Sequence, residues 1–126
     1  MIIVGRLIQG EKASLFVSDE VFEFIMSYEY TDKNNVQANK AMKKLKYFAD
    51  GGFVVDRGNI RSEGDEVFRI EIENTGRIIG FFDKKDFIGI SSYEKKSKKL
   101  NRMQRTVLKK VKKIYVDHDW IKSISK

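Results

Sequence analysis

Glu66-Val67-Phe68-Arg69-Ile70-Glu71-Ile72-Glu73-Asn74-Thr75-Gly76-Arg77-Ile78-Ile79-Gly80-Phe81-Phe82-Asp83-Lys84-Lys85-Asp86-Phe87-Ile88-Gly89-Ile90-Ser91-Ser92-Tyr93 runs as three apolar segments separated by two polar breaks. Phe68, Ile70 and Ile72 alternate with Val67, Arg69 and Glu71, the period of two that a strand with one buried face requires. Asn74-Thr75-Gly76 and Asp83-Lys84-Lys85-Asp86 are tight-turn signals. Arg77 to Phe82 and Phe87 to Tyr93 then form the second and third strands of an antiparallel meander.

Upstream the period changes. Ser18 is a good N-cap, Asp19 and Glu20 sit where a helix dipole favours acids, and Val21, Phe22, Ile25 and Met26 recur at helical spacing. These signals predict a helix over about 19–30. After the polar connector Thr31-Asp32-Lys33-Asn34-Asn35, Val36, Met42, Leu45 and Phe48 mark one face of a second helix, stopped by Gly51-Gly52. The two helices suggest a helical hairpin. Phe53 to Val55 could form a short strand, and Arg57 to Asp65 reads as a polar loop. Ahead of the hairpin, Ile2-Ile3-Val4 and Leu15-Phe16-Val17 flank the turn Gln9-Gly10-Glu11-Lys12, which reads as two short strands or one strand with an irregular lead-in. Residues 1–17 are expected to be an N-terminal extension or edge strand.

Downstream of the meander, Leu100, Met103, Val107, Val111 and Ile114 step by three or four, laying an apolar stripe along a helix of about fifteen residues. The chain closes on Tyr115-Val116-Asp117-His118-Asp119-Trp120 and a short polar tail. The 126 residues suit one hydrophobic core, so a single domain over 1–126 is expected. The fold class read from these elements is α+β: an antiparallel three- to five-stranded sheet with an N-terminal helical hairpin and a C-terminal helix.

The charge is not spread evenly. Ten of the 25 Lys and Arg residues fall between Tyr93 and Ile114: Lys95, Lys96, Lys98, Lys99, Arg102, Arg105, Lys109, Lys110, Lys112 and Lys113. Only Glu94 opposes them there, so with a net charge of +7 the remaining chain is slightly acidic. A cation that neutralises a phosphate releases condensed counterions, so such a concentration suits a polyanion, above all RNA. A solvated, solubilising face is the alternative reading of the same run.

Several chemistries are excluded or left without a motif. The chain has no cysteine, and therefore neither a disulfide nor a thiolate metal site. It carries no P-loop, GxGxxG, GxSxG or HExxH pattern, and no window approaches the roughly 18 apolar residues of a membrane span. No metal, cofactor or membrane association is expected, and the expected location is the cytoplasm. Cleavage of RNA through its 2′-hydroxyl would need a base, an acid and cations for the developing charge. His118 is the only histidine; Tyr93 and Tyr115 would serve if neighbouring cations depress their pKa. Arg69 and Arg77, on adjacent strands, could grip phosphate oxygens bidentately, or could simply pair with Glu71, Glu73 or another surface acid.

Phe68-Arg69-Ile70, Arg77-Ile78-Ile79 and Phe87-Ile88-Gly89-Ile90-Ser91-Ser92-Tyr93-Glu94-Lys95-Lys96-Ser97-Lys98-Lys99-Leu100 resemble the RelE/HigB toxin superfamily, including its phage-derived members. The resemblance implies a RelE-like fold with an open sheet face. It also implies a toxin of a type II toxin-antitoxin pair, typically a ribosome-dependent, metal-independent mRNA endoribonuclease silenced by a cognate protein antitoxin. On that likeness Arg69, Arg77, Tyr115 and His118 would be catalytic, and Tyr93, Lys95, Lys96, Lys98, Lys99 and Arg102 would hold mRNA on the ribosome. Residues 1–17 and Glu94 depart from the pattern. A ParE-like, gyrase-directed toxin and a non-catalytic basic module binding nucleic acid or protein are the alternatives.

Overall fold

The computed structural model describes residues 1–31, 36–56, 58–72, 75–95 and 102–123, the side chains of 28–31 and 36–40 excepted. Seven strands and three helices follow one another as β1 (Ile2–Gln9), β2 (Ser14–Val17), α1 (Asp19–Thr31), α2 (Val36–Gly51), β3 (Ile60–Ser62), β4 (Phe68–Ile72), β5 (Gly76–Asp83), β6 (Asp86–Glu94), α3 (Arg102–Asp117) and β7 (Trp120–Lys122). The strands form one sheet in the order β3-β4-β5-β6-β2-β1-β7. β3 to β6 are antiparallel neighbours, as are β1 and β2, whereas β2 runs parallel to β6 and β1 parallel to β7.

This corrects the expected architecture. The sheet is mixed and seven-stranded, not a three- to five-stranded antiparallel RelE-like one, and the helix pair follows two strands of the sheet instead of opening the chain. Residues 1–17 are no appendage: Leu15, Phe16 and Val17 pair with Phe87, Ile88 and Gly89 in the interior of the sheet. The polar stretch after Gly58 contributes β3, while 53–55 forms no strand.

Neither sheet face is open along its length. On one side α1 and α2 bury Val21, Ile25 and Leu45 against Leu15, Val17, Ile70, Ile78 and Phe87. On the other, Val107, Val111 and Ile114 of α3 pack on Phe16, Ile79, Phe81, Ile88 and Ile90. Each such side chain contributes about 1.5–3 kcal/mol by leaving water. The two-sided burial explains the runs Ile78-Ile79-Gly80-Phe81-Phe82 and Phe87-Ile88-Gly89-Ile90, since strands covered on both faces lose the alternation of half-buried ones.

A β-bulge in β6 sets which side chains meet α3. Ile79 lies opposite Ser91 and Gly80 opposite Gly89, leaving Ile90 as the extra residue. Because of it Ile88, Ile90 and Tyr93 all join the α3-side core, although a regular strand would send Tyr93 to the other face. The approach demands a glycine: a Cβ on Gly80 would overlap the Ile88 carbonyl oxygen.

The helix ends have local causes. Ser18 Oγ accepts from the Val21 N–H at 3.2 Å and donates to the Ile90 carbonyl at 2.8 Å, so the N-cap of α1 also closes the stretch of β6 beyond the end of β2. α2 stops at Gly52, with φ of 84°, and α3 stops at His118, with φ of 53°. Among the described residues no helix is long and apolar enough to cross a membrane.

Candidate functional site

α3 carries Arg102, Arg105, Lys109, Lys110, Lys112 and Lys113, with Gln104, Val107, Val111 and Ile114 buried beneath. Two of the six cations are engaged. Lys110 Nζ donates to Glu20 Oε1 at 3.0 Å, and Lys112 Nζ lies 3.3 Å from Asp65 Oδ2. Arg102, Arg105, Lys109 and Lys113 are exposed and form no ion pair among the described residues. Their spacing of three, four and four residues keeps them in one row opposite the buried stripe. At 1.5 Å per residue the row is about 17 Å long.

In the sequence Arg105, Lys109 and Lys113 are members of the basic run with no site assigned to them; the helical period is the signal that separates them from Lys110 and Lys112. Lys96, Lys98 and Lys99, expected to grip RNA, lie outside the described residues. Lys95 is half-buried and its N–H is bonded to the Thr75 carbonyl at 2.8 Å, while Arg102 is exposed at the start of α3.

Arg69 and Arg77 do meet, but around carboxylates. Arg69 Nη1 lies 2.9 Å from Glu63 Oε1 and its Nη2 3.9 Å from Glu71 Oε2. Arg77 Nη2 lies 3.6 Å from Glu71 Oε1, and its Nη1 donates to the Gly76 carbonyl at 2.9 Å. The register sets this cluster: Glu71 is opposite Arg77, which is opposite Tyr93. Tyr93 is buried, and burial pushes its phenol above the usual range; the Arg69 and Arg77 charges pull it down, and Glu63 pushes it up, without reversing the net rise. The expected cation-depressed tyrosine is therefore absent at this position. Desolvation and carboxylate partners outweigh the arginines.

Tyr115 and His118 belong elsewhere. The Tyr115 ring packs 5.0 Å from Phe81, four residues along β5 from Arg77, a strand distance of about 13 Å. His118 is exposed, 5.4 Å from the Trp120 ring. The residues expected to share one catalytic centre thus divide into an ion-pair cluster and the end of α3.

The acid that fixes α3 is not one that the sequence singles out. Glu20 Oε2 accepts from Ser91 Oγ and from the Ser92 N–H at 3.2 Å, while its Oε1 takes Lys110. Burial alone would raise the Glu20 pKa, but the hydrogen bonds from Ser91 and Lys110 and the Lys110 charge hold it below the usual carboxylate range. No local pattern announces a partner ninety residues away. Among the described residues no group of three or more His, Asp or Glu side chains could hold a metal ion.

Compared with protein-family models, curated proteins and solved structures, the chain matches none.

Proposed function

We propose that this chain is a nucleic-acid-binding module whose phosphate-gripping element is the exposed face of α3. The observation that carries the reading is the division of the α3 cations: Lys110 and Lys112 are paired with acids, whereas Arg102, Arg105, Lys109 and Lys113 form a solvent-facing row. Exposed cations at helical intervals can each meet a phosphate along one run of backbone, and counterion release supplies the free energy. The helix beneath is anchored by a continuous apolar stripe, so the row is presented by a rigid element. The endoribonuclease and gyrase-directed readings rest on the sequence resemblance to RelE/HigB toxins; the mixed seven-stranded sheet differs from the architecture that resemblance implies, and Arg69 and Arg77 lie apart from Tyr115.

The test is affinity for a short oligonucleotide as a function of salt. Four phosphate contacts give a slope of log K against log[salt] of about −3, and each removed contact lowers its magnitude by about 0.7–0.9. Alanine at Arg105 or Lys109 should produce that step, whereas alanine at Lys112 should leave the slope in place. Equal effects at all three positions, or binding indifferent to salt, would remove the α3 row as the interface.

A further inference from the structure

We infer that the nucleic acid held by α3 is single-stranded, with one unstacked base placed on the ring of His118 where the helix ends; the inference rests on the phosphate-binding reading above. α3 ends at a residue that must adopt the left-handed conformation, with the Asp119 N–H closing onto the Ile114 carbonyl at 3.0 Å. Glycine serves that position without a Cβ penalty, yet it is occupied by a histidine with φ of 53°. The ring that results is well supported. Phe81 is buried in the sheet, the half-buried Trp120 ring lies 5.3 Å from it at an interplanar angle of 57°, and the exposed His118 ring lies 5.4 Å from Trp120, tilted by 42°. Histidine is among the side chains on which splayed bases stack, and a ring backed by a second ring loses little freedom when a base settles on it.

The local charge points the same way. Phosphates are favoured along Arg102, Arg105, Lys109 and Lys113, but Asp117 is exposed at the next turn and repels them. Asp119, on the other side of His118, is 3.6 Å from the terminal amine of Met1. A backbone following the cationic row therefore reaches a place suited to an uncharged aromatic group. Bases inside a duplex are already stacked and cannot supply one; a single strand can.

Trp120 is the only tryptophan, so its fluorescence reports on the His118 ring beside it. The full-length chain would be titrated with oligothymidylate of about a dozen nucleotides, a duplex of the same length, and inorganic polyphosphate of similar charge. All three should compete for the α3 row, and only oligothymidylate should quench Trp120. His118→Gly, which retains the left-handed turn, should abolish the quench and weaken oligothymidylate about ten-fold while leaving polyphosphate binding unchanged. His118→Asn, also tolerant of that backbone, should behave alike. A duplex bound as tightly as the single strand, absence of quenching, or indifference to both substitutions would overturn the base-stacking inference while leaving the phosphate-binding reading standing. Failure of all three polyanions to bind would overturn that reading itself.

Discussion

Glu20 shows how much one side chain can carry. It stands in the first turn of α1, closes the free stretch of β6 through Ser91 and Ser92, and reaches Lys110 on the helix of the opposite layer. Its folded pKa lies below its unfolded value, so its contribution is fully present above the ordinary carboxyl pKa of 4.5 and is lost as pH falls through the depressed one. Glu20→Gln should therefore lower stability at pH 7 by about 1 kcal/mol, a modest figure because the Lys110 contact is partly exposed and screened. Urea midpoints measured from about pH 6 to pH 3 should show the two proteins converging on the acid side; a gap independent of pH would mean that the charge is not what matters. At this scale the exposure of Arg105, Lys109 and Lys113 follows from helical spacing. Glu71 as the partner of Arg69 and Arg77 is one of two readings the strand pattern leaves open, and register decides between them; the Lys110 partner of Glu20 depends on how the layers stack and has no sign in the sequence.

Among the elements, β6 has the most demanding geometry. Its bulge turns Tyr93 toward α3 and brings Gly80 so close to the Ile88 carbonyl that any side chain must push the strands apart. Gly80→Ala should cost about 3 kcal/mol, the upper range for overpacking, because a backbone atom cannot step aside as a side chain can. Chemical denaturation measures this; an unchanged midpoint would mean that the β5–β6 ladder is more pliable than its register implies. α1, α2, α3 and β4 are legible in the spacing of their apolar residues, and β5 and β6 as apolar runs bounded by turn signals. β3 and β7 are not. Ile60-Arg61-Ser62 and Trp120-Ile121-Lys122 are each three residues long, too short to display a period, and they are strands only because β4 and β1 offer an edge to pair with. The bulge is equally hidden, since Ile90 and Ser91 look like ordinary members of an apolar strand.

For the molecule as a whole, the long-range pairings decide the layout. β2 meets β6 and β1 meets β7 across most of the chain, so the two ends of the sequence are held in one ladder. Removing β7 by truncation after Asp119 would expose Phe81 and one edge of β1, and should lower the stability of the entire fold by about 3 kcal/mol, comparable to deleting a core tryptophan. A single unfolding transition at lower urea, seen alike by circular dichroism and tyrosine fluorescence, is the expected result; a local loss that leaves the main transition in place would show β7 to be uncoupled from the core.

By itself the sequence determined where charge accumulates, which segments are helical, that the meander exists and that α3 is amphipathic, because each of these depends on residues within a turn or two of one another. Only the tertiary structure decided that the N-terminal strands enter the interior of the sheet, that α3 covers the face expected to be open, that of the two readings open for Arg69 and Arg77 the carboxylate pairing holds, and which lysines remain for a partner. Those outcomes depend on strand order and register across distances of tens of residues, and a local motif such as a strand leading into a lysine-rich loop is compatible with more than one such arrangement.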